Sequence, residues 1–309
     1  MNNTKKNVYQ MVTDRIVEQM SKGVIPWRQP WVGGSAMAIS YTTRKAYSIL
    51  NQILLGKPGE WLTWNQIQAL GGHVRKGAKS GFCVFFKPIE EYTETPERDE
   101  DNETTTGQRD ARRRFVLKWY HVFHIDDTEG IPSKLTTVRP SPVISPIESA
   151  EKAIRSYLDR EATLKFINDR ESASAYYSPA LDEVVVPMLS QYEIPEEYYS
   201  TAFHEFTHST MKESRCDRRS ESGITRFGDN DYSREELVAE IGSAMLCNRL
   251  GIESEKAFRN SAAYIQSWLK VLKNDNRMIV WASAKAEQAS RYILGDNPKE
   301  LATTKHAVP

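Results

Sequence analysis

The segment AFHEFTHS, at residues 202–209, constrains this chain more than any other stretch. Its histidines, His204 and His208, are four residues apart, so on an α-helix both imidazoles project from one face and can bind one ion. Glu205 lies beside the first histidine, where its carboxylate can accept a proton from a water on that ion. Neither Pro nor Gly interrupts the segment. The pattern predicts a helix that carries two metal ligands and a general base.

The third ligand is predicted from a second amphipathic segment, YSREELVAEIGSAML. Glu236 and Glu240 are four residues apart on its apolar stripe, and a carboxylate on the buried side of a helix needs a cation. We therefore predict that Glu236 is the third ligand. Glu240, one turn later, is predicted to accept the second ring N–H of a metal-bound histidine. Glu235 is interpreted as an ordinary solvated acid.

Two histidines and one glutamate leave a coordination position for water, which is typical of hydrolytic zinc, whereas structural zinc usually has four protein ligands. Zn²⁺ is the predicted cofactor, and Mn²⁺ or Co²⁺ suits similar geometry. Tyr232 and Tyr177 are the candidate donors for an oxyanion. A nuclease is disfavoured because the sequence lacks the clustered acids of a two-metal site.

Length and composition predict a two-domain globular protein in the cytoplasm. The chain has 309 residues, 39% of them hydrophobic, and a mean hydropathy of −0.57. No apolar run approaches the roughly 20 residues that span a bilayer, and the polar N-terminus has no apolar signal segment. The three cysteines form no CxxC pair and suit a reducing compartment. We therefore expect no membrane partner.

Charge is unevenly distributed although the net charge is zero. Residues 1–88 and 111–145 together hold 18 Lys and Arg against 6 Asp and Glu. Residues 89–110 hold 9 acids against 2 bases and few apolar anchors, which predicts a mobile loop between two strands. Apart from this acidic insert, the first half has the electrostatic footprint of a phosphate-binding surface.

Two segments of the first half are candidates for nucleic-acid contacts. In IPWRQPWVGG, Pro26 and Pro30 each precede a tryptophan, so that Trp27 and Trp31 lie on either side of Arg28. Such a segment is typical either of a plug in the core or of a base-stacking platform. Further on, basic residues surround Gly77 ahead of an apolar run, which predicts a hairpin. These basic residues are Arg75, Lys76 and Lys79. They either hold a nucleic-acid backbone or are merely solvated.

Other polar residues are given plainer interpretations. His121 and His124 precede two aspartates, but strand partners or solvation explain them better than a second metal site does. Arg215, Arg218 and Arg219 lie in a polar loop and are interpreted as facing water rather than nucleic acid.

Periodicity predicts the order of the elements. Helices are predicted at residues 7–21, 47–55, from Thr63, at 146–159, from Pro195 through the histidine motif, and on both sides of 274–276. Two short strands are predicted within residues 173–187. The proline-rich segment 135–147 is predicted to link a domain at 1–134 to a domain at 148–309, each with its own core.

The whole chain resembles the ArdC-type antirestriction proteins, whose N-terminal half also occurs in TraC-type plasmid primases. The resemblance runs from about Tyr9 to Gly295. It is carried by IPW with a second Trp, WLTWNQIQALGGHVRKG, VFHIDDTEG, YYSPALDEVVVP, AFHEFTHST, REELVAEIGSAML and SAAYIQSWLKVLKND. Several independent motifs in one order make it specific.

This resemblance implies an α+β fold of two domains, with a single-stranded DNA-binding domain followed by a zincin-like metallopeptidase domain of the gluzincin arrangement. It implies DNA contacts for Trp27, Arg28, Trp31, Arg75, Lys76 and Lys79. In zinc peptidases of this layout, a strand such as 182–187 is the sheet edge along which a peptide lies. The implied role is protection of incoming plasmid or phage DNA, with host restriction-enzyme subunits as candidate substrates or targets.

A second hypothesis assigns the same residues to a different function. In it the protein coats single-stranded DNA without catalysis, and the metal only stabilises the fold. The presence of three rather than four protein ligands favours hydrolysis.

Overall fold

The computed structural model describes residues 7–22, 25–28, 37–94, 109–135, 146–218, 230–252 and 262–296. Its helices are α1 (Val8–Ser21), α2 (Ile49–Leu55), α3 (Trp64–Ala69), α4 (Pro146–Arg160), α5 (Pro195–Ser209), α6 (Asn230–Leu250), α7 (Ala262–Asn274) and α8 (Met278–Leu294). Its strands are β1 (Ala38–Ser40), β2 (Gly59–Leu62), β3 (His73–Val74), β4 (Gly81–Glu94), β5 (Arg109–His124), β6 (Thr128–Glu129), β7 (Lys165–Ile167), β8 (Tyr176–Ser178) and β9 (Glu183–Val185). The predicted α+β fold class is confirmed.

The predicted helices form where local signals agree. The Thr63 hydroxyl accepts a bond from the Gln66 N–H, and the Gln66 side chain accepts one from the Thr63 N–H, which fixes the start of α3. Pro195 lies in the first turn of α5, where a missing N–H is tolerated. The helices predicted near residues 7, 47, 146 and 274 are α1, α2, α4 and the pair α7 and α8.

A four-stranded sheet in the order β1-β2-β5-β4 lies in the N-terminal half. Strands β4 and β5 are antiparallel over their full lengths, from Gly81 opposite Val122 to Glu94 opposite Arg109. These are the two strands predicted to flank the acidic insert, and residues 95–108 of that insert lie outside the described part of the chain.

The outer edge of β4 is covered by α2. The side-chain amide of Asn51 donates to the Val84 carbonyl at 2.9 Å and accepts from the Val84 N–H at 2.8 Å. Asn51 is buried. The helix therefore supplies the hydrogen bonds that a further strand would make at this point.

The basic residues of the N-terminal half lie in a turn, but the predicted hairpin is wrong. Strand β3 pairs with β6 rather than with β4. Between β3 and β4 the chain turns at Gly77, whose φ of 86° suits glycine. We call the exposed Arg75, Lys76 and Lys79 the basic turn.

A three-stranded sheet in the order β7-β9-β8 lies in the C-terminal half. Strand β9 is parallel to β7 and antiparallel to β8, so it is the central strand. The expectation that the segment at residues 182–187 forms a sheet edge is therefore wrong. Among the described strands, β7 and β8 form the two edges of this sheet.

The largest hydrophobic core is shared by both halves of the chain. Val12 and Ile16 of α1 are fully buried in one cluster with Leu237 and Ile241 of α6 and Ile279 of α8. A second cluster lies among α4, α5, α6 and the three-stranded sheet. Two smaller clusters lie within the N-terminal half alone. The prediction that each domain has a core of its own therefore holds for these clusters and for the second one, whereas the main cluster joins the two halves. Among the described residues, no helix combines the length and apolarity that crossing a membrane takes.

Candidate metal centre

Helix α5 is anchored by its apolar face and carries the two motif histidines on another. Phe203 and Phe206 are fully buried. The side chains of His204 and His208 keep 21% and 12% exposure. Their rings lie edge to face with centroids 4.8 Å apart. Burial of the phenylalanines thus presents both imidazoles to α6.

Three donor atoms converge between α5 and α6. The Nε2 atoms of His204 and His208 are 3.2 Å apart, and the Glu236 carboxylate oxygens lie 3.5 Å and 3.4 Å from them. With metal–ligand bonds of about 2.0–2.1 Å, the corners of a tetrahedron lie roughly 3.3–3.4 Å apart. The observed spacing therefore fits one small divalent ion. Among the described residues, this is the one group whose donors meet in this way.

The close approach of α6 to α5 depends on Gly242. A Cβ built on this residue would lie 2.7 Å from Thr207 Cγ2 and 2.8 Å from Thr207 Oγ1. The next residue, Ser243, is buried, and its hydroxyl donates to the Ser200 carbonyl at 2.7 Å. Small residues and a hydroxyl bond thus bring Glu236 within reach of the histidines.

Glu205, the predicted general base, lies on the same helix as the two histidines. It follows the first ligand on α5 and is 8% exposed. Among the described residues it makes no hydrogen bond and no ion pair. Its negative charge is close enough to His208 to contribute to the raised pKa of that imidazole.

The electrostatics of the site favour a cation. Burial alone lowers the pKa of His208, but Glu235 and Glu236 outweigh it and raise the pKa to about 10. Burial alone raises the pKa of Glu236, but both histidines hold it well below its usual range. Surroundings that stabilise an imidazolium also stabilise a divalent ion.

The residues behind the histidines differ from the prediction. Glu240 Oε1 lies 4.0 Å from His204 Nδ1, on the predicted side but beyond hydrogen-bond length. Glu235, interpreted as a solvated acid, is instead buried, with Oε1 3.5 Å from His208 Nδ1. Glu235 thus lies behind the ring of His208, whereas Glu240 lies behind the ring of His204.

Arg218 explains why Glu235 is buried. Its Nε and Nη2 atoms donate to the two Glu235 oxygens at 3.1 and 2.7 Å. It also donates to the Thr210 hydroxyl and to the Thr207 carbonyl at the end of α5. The interpretation that Arg218 faces water is therefore wrong, since it is 0% exposed.

Arg215 is also a structural residue. Its side chain is 0% exposed and pairs with Glu161 and Asp182 at 2.8 Å each. The Tyr177 hydroxyl donates to the same Asp182 at 3.0 Å, and burial together with this bond raises the pKa of Tyr177 to about 12. That contact leaves Tyr177 no second proton for an oxyanion. Of Tyr232 the structure describes only the backbone, in α6, and Arg219 lies outside the described residues.

The aromatic segment predicted to contact DNA is in part a core plug. Trp27 is 4% exposed and packs in the main cluster, so it presents no face to a base and the prediction for it is wrong. The Arg28 side chain and Trp31 lie outside the described residues. The basic turn is exposed, as a segment that binds a nucleic-acid backbone must be.

His124 is buried, and its Nε2 atom lies 2.9 Å from the Pro58 carbonyl oxygen.

Sequence reasoning missed Glu235, Arg218 and Gly242 as parts of this site. For Gly242 a signal existed, because an isolated glycine inside a helical pattern often marks close packing. For Arg218 and Glu235 no periodicity links the loop to the helix.

Comparison with known proteins agrees with this geometry. A model of zincin-like metallopeptidases matches residues 159–285, and a model of the N-terminal domain of anti-restriction factor ArdC matches residues 6–123. The crystal structure of antirestriction protein ArdC from plasmid R388 in its metal-free form is similar with a TM-score of 0.68 and 33% identity, over 95% of this chain and 98% of that one. Its Mn(II)-bound form gives a TM-score of 0.66 and 32% identity, over 94% and 97%.

Two relatives with similar sequences differ in length. A DNA primase TraC of Escherichia coli is 32% identical across all of this chain, which spans 29% of the primase. Protein y4eC of Sinorhizobium fredii (strain NBRC 101917 / NGR234) is 31% identical over 94% of this chain and 92% of its own length. Near-complete mutual coverage with the R388 protein, together with both domain matches, shows that this chain belongs to the ArdC family of antirestriction proteins.

Proposed function

We propose that this chain protects incoming plasmid or phage DNA from host restriction by joining a divalent-metal peptidase to a single-stranded DNA-binding surface. The proposal of peptidase activity rests on one observation. His204, His208 and Glu236 converge at tetrahedral spacing, and Glu205 is next to His204 in the helix. The family likeness supports the antirestriction role.

The residues present suit hydrolysis of a peptide bond. A divalent ion at such a site supplies a Lewis acid that makes water acidic enough to lose a proton near neutral pH. Glu205 would accept that proton at a carboxylate oxygen and later deliver it to the leaving amine. Glu235, fixed by Arg218, would hold His208 in one ring orientation.

The exposure of the site favours catalysis over the alternative of a purely structural metal. The side chains of His204 and Glu236 are 21% and 26% exposed, which leaves room for water and substrate. A structural zinc is usually closed by four protein ligands, and the group found among the described residues has three. Zn²⁺ suits this donor set, and Mn(II) in the R388 protein supports Mn²⁺ as the other candidate.

The proposed DNA-binding part is the N-terminal half. Its likeness to part of two proteins named DNA primase supports contact with nucleic acid. The basic turn supplies exposed cations. Restriction-enzyme subunits are the proposed peptidase substrate, because cutting them would protect the DNA that the first half holds.

The test uses two substitutions at the site. Glu205→Gln should leave metal content unchanged, abolish cleavage of restriction-enzyme subunits and lower plasmid survival in a restricting host. If Glu205→Gln keeps full protection, the peptidase is not the basis of function. If His204→Ala lowers the melting temperature greatly and abolishes DNA binding as well, the non-catalytic alternative is correct.

A salt titration tests the DNA-binding part separately. Binding of a single strand to the basic surface should weaken linearly in log–log form as salt rises, with several counterions released. A flat dependence would remove the electrostatic argument.

A further inference from the structure

A row of aromatic rings crosses the N-terminal sheet. Trp119, His121 and Phe123 alternate along β5, so their side chains share one face. The rings of Trp119 and His121 lie edge to face at 4.8 Å, and those of Phe123 and Trp64 at 6.1 Å. We call these four residues the aromatic strip.

The strip is open to solvent at the end formed by α3. Trp64, the first residue of α3, is 51% exposed although its ring packs on Phe123. His121 is exposed, and Phe123 and Trp119 are partly exposed. About half of the Trp64 side chain therefore faces water while its ring stays packed against Phe123.

The basic turn runs beside the strip. At its start, Val74 packs in one cluster with Phe123. At its end, Ser80 Oγ lies 2.9 Å from His121 Nδ1. The turn that carries the three cations is therefore anchored at both ends next to residues of the strip. One of them, Arg75, lies 3.8 Å from Glu129 and donates to the Thr128 carbonyl at 3.3 Å, so Lys76 and Lys79 are the better candidates for contact with a phosphate.

We propose that the aromatic strip is a stacking surface for the bases of single-stranded nucleic acid, whose phosphates lie on the basic turn. This proposal rests on the DNA-binding part of the proposed function and assigns its contacts. A single strand fits because its bases expose their faces, whereas a duplex hides them in the stack. Cations next to aromatic rings complement a ligand that combines negative phosphates with flat bases, and they do not complement an apolar protein surface.

The experiment measures binding of a fluorescein-labelled oligothymidylate by fluorescence anisotropy over a range of salt concentrations. Trp64→Ala should weaken binding roughly 5- to 150-fold, the range that loss of one base stack gives. Its salt dependence should stay parallel to that of the wild type, because no charge is removed. Lys76→Ala should instead lower the slope by about one released ion.

Two further variants make the comparison strict. Trp64→Phe keeps a stacking ring and should recover most of the affinity. Tyr176→Ala removes an aromatic side chain of similar exposure, 44%, from the C-terminal half and should bind like the wild type. Thermal unfolding of each variant shows whether it is folded.

Three results would overturn the proposal. One is wild-type affinity of Trp64→Ala while the wild type binds single strands well; this leaves DNA binding intact and removes only the strip. Another is equal weakening of duplex and single-strand binding, which points to a surface that does not stack bases. The third is loss of affinity in Tyr176→Ala to the same extent. Absence of binding by the wild-type protein would instead overturn the DNA-binding part of the proposed function.

Discussion

Arg218 and Glu235 form a buried two-pronged ion pair behind the candidate metal centre, with side chains 0% and 5% exposed. Glu235 in turn lies 3.5 Å from His208 Nδ1, while His208 Nε2 faces Glu236. Arg218 belongs to the segment that follows α5, and Glu235 to α6. The pair therefore joins the two elements that hold the ligands and fixes the orientation of one imidazole.

Arg218→Met is expected to weaken metal binding about 10- to 100-fold, because Glu235 loses the partner that orients it. It should also destabilise the protein by roughly 3–5 kcal/mol, since a buried carboxylate is left without its counter-ion. Competition with a chelating dye measures the first effect, and urea unfolding the second.

Arg15→Met is the matched control, because Arg15 belongs to an exposed pair with Glu18 and is 42% exposed. A change within about 0.5 kcal/mol and an unchanged metal affinity are expected for it. Unaltered metal affinity in Arg218→Met would show that Glu235 does not orient His208.

Gly242→Ala is expected to push α6 away from α5, because the added methyl meets Thr207 at 2.7 Å. The net loss of stability should be roughly 1–2 kcal/mol, since overpacking outweighs the gain in helix propensity. Metal affinity should fall as Glu236 moves from the histidines. Isothermal titration with Zn²⁺ measures this.

The double variant Gly242→Ala/Thr207→Ala tests the cause of that loss. Removing the Thr207 hydroxyl and methyl makes room for the new side chain, so affinity should partly return, with a coupling energy above about 0.5 kcal/mol. Strictly additive effects would mean that the two helices do not meet at this contact.

Asp182 should make stability fall in acid. Burial alone would raise the pKa of its carboxyl, but hydrogen bonds from Arg215, Lys212, Thr163 and Tyr177 hold it well below its usual range. Its stabilising contribution, on the order of 2 kcal/mol, is complete above the unfolded pKa of about 3.9 and is lost as the pH falls below that value toward the folded pKa. Urea unfolding at a series of pH values, from pH 7 to below the unfolded pKa, measures this loss of the free energy of unfolding.

Asp182→Asn should flatten the acid dependence of stability. Asparagine is the fitting replacement because Asp182 has a φ of 50°, a left-handed conformation that Asn tolerates. Asp126→Asn is the control, since Asp126 is 66% exposed beside Lys57 and contributes little. Equal acid profiles for Asp182→Asn and the wild type would contradict the expectation.

The shared core should make both halves unfold together. Ile16→Ala, in α1, removes a fully buried side chain and should cost about 2–5 kcal/mol. Tryptophan fluorescence and release of bound metal to a dye should then show one common transition at lower temperature. Two separate transitions, with only one shifted, would indicate independent domains.

The local signals in the sequence were sufficient for the helices and for the ligand geometry. A histidine pair at i and i+4 must share a helix face, and an acid on the stripe of the next helix must find a cation. Hence His204, His208 and Glu236 meet in the structure as their spacing requires. That they hold a metal stays a prediction.

Contacts between distant segments were not predictable in the same way. Burial of Trp27, Arg215 and Arg218 depends on which helix packs over them, and composition alone does not contain that information. The pairing of β3 with β6 joins segments far apart in the chain, whereas the hairpin rule considers only neighbouring residues. Glu235 was misassigned because its counter-ion comes from such a distant loop.

The bond between Asn51 and Val84 also bears on how the molecule behaves at high concentration. A long strand with unpaired peptide groups invites another copy of the same chain to add to it, which is a common route to aggregation. One amide, held by a buried helix, occupies the inner part of that strand where it is most apolar. The protein can thus have a strand as long as β4 at the edge of its sheet without offering the stretch around Val84 as a template for self-association.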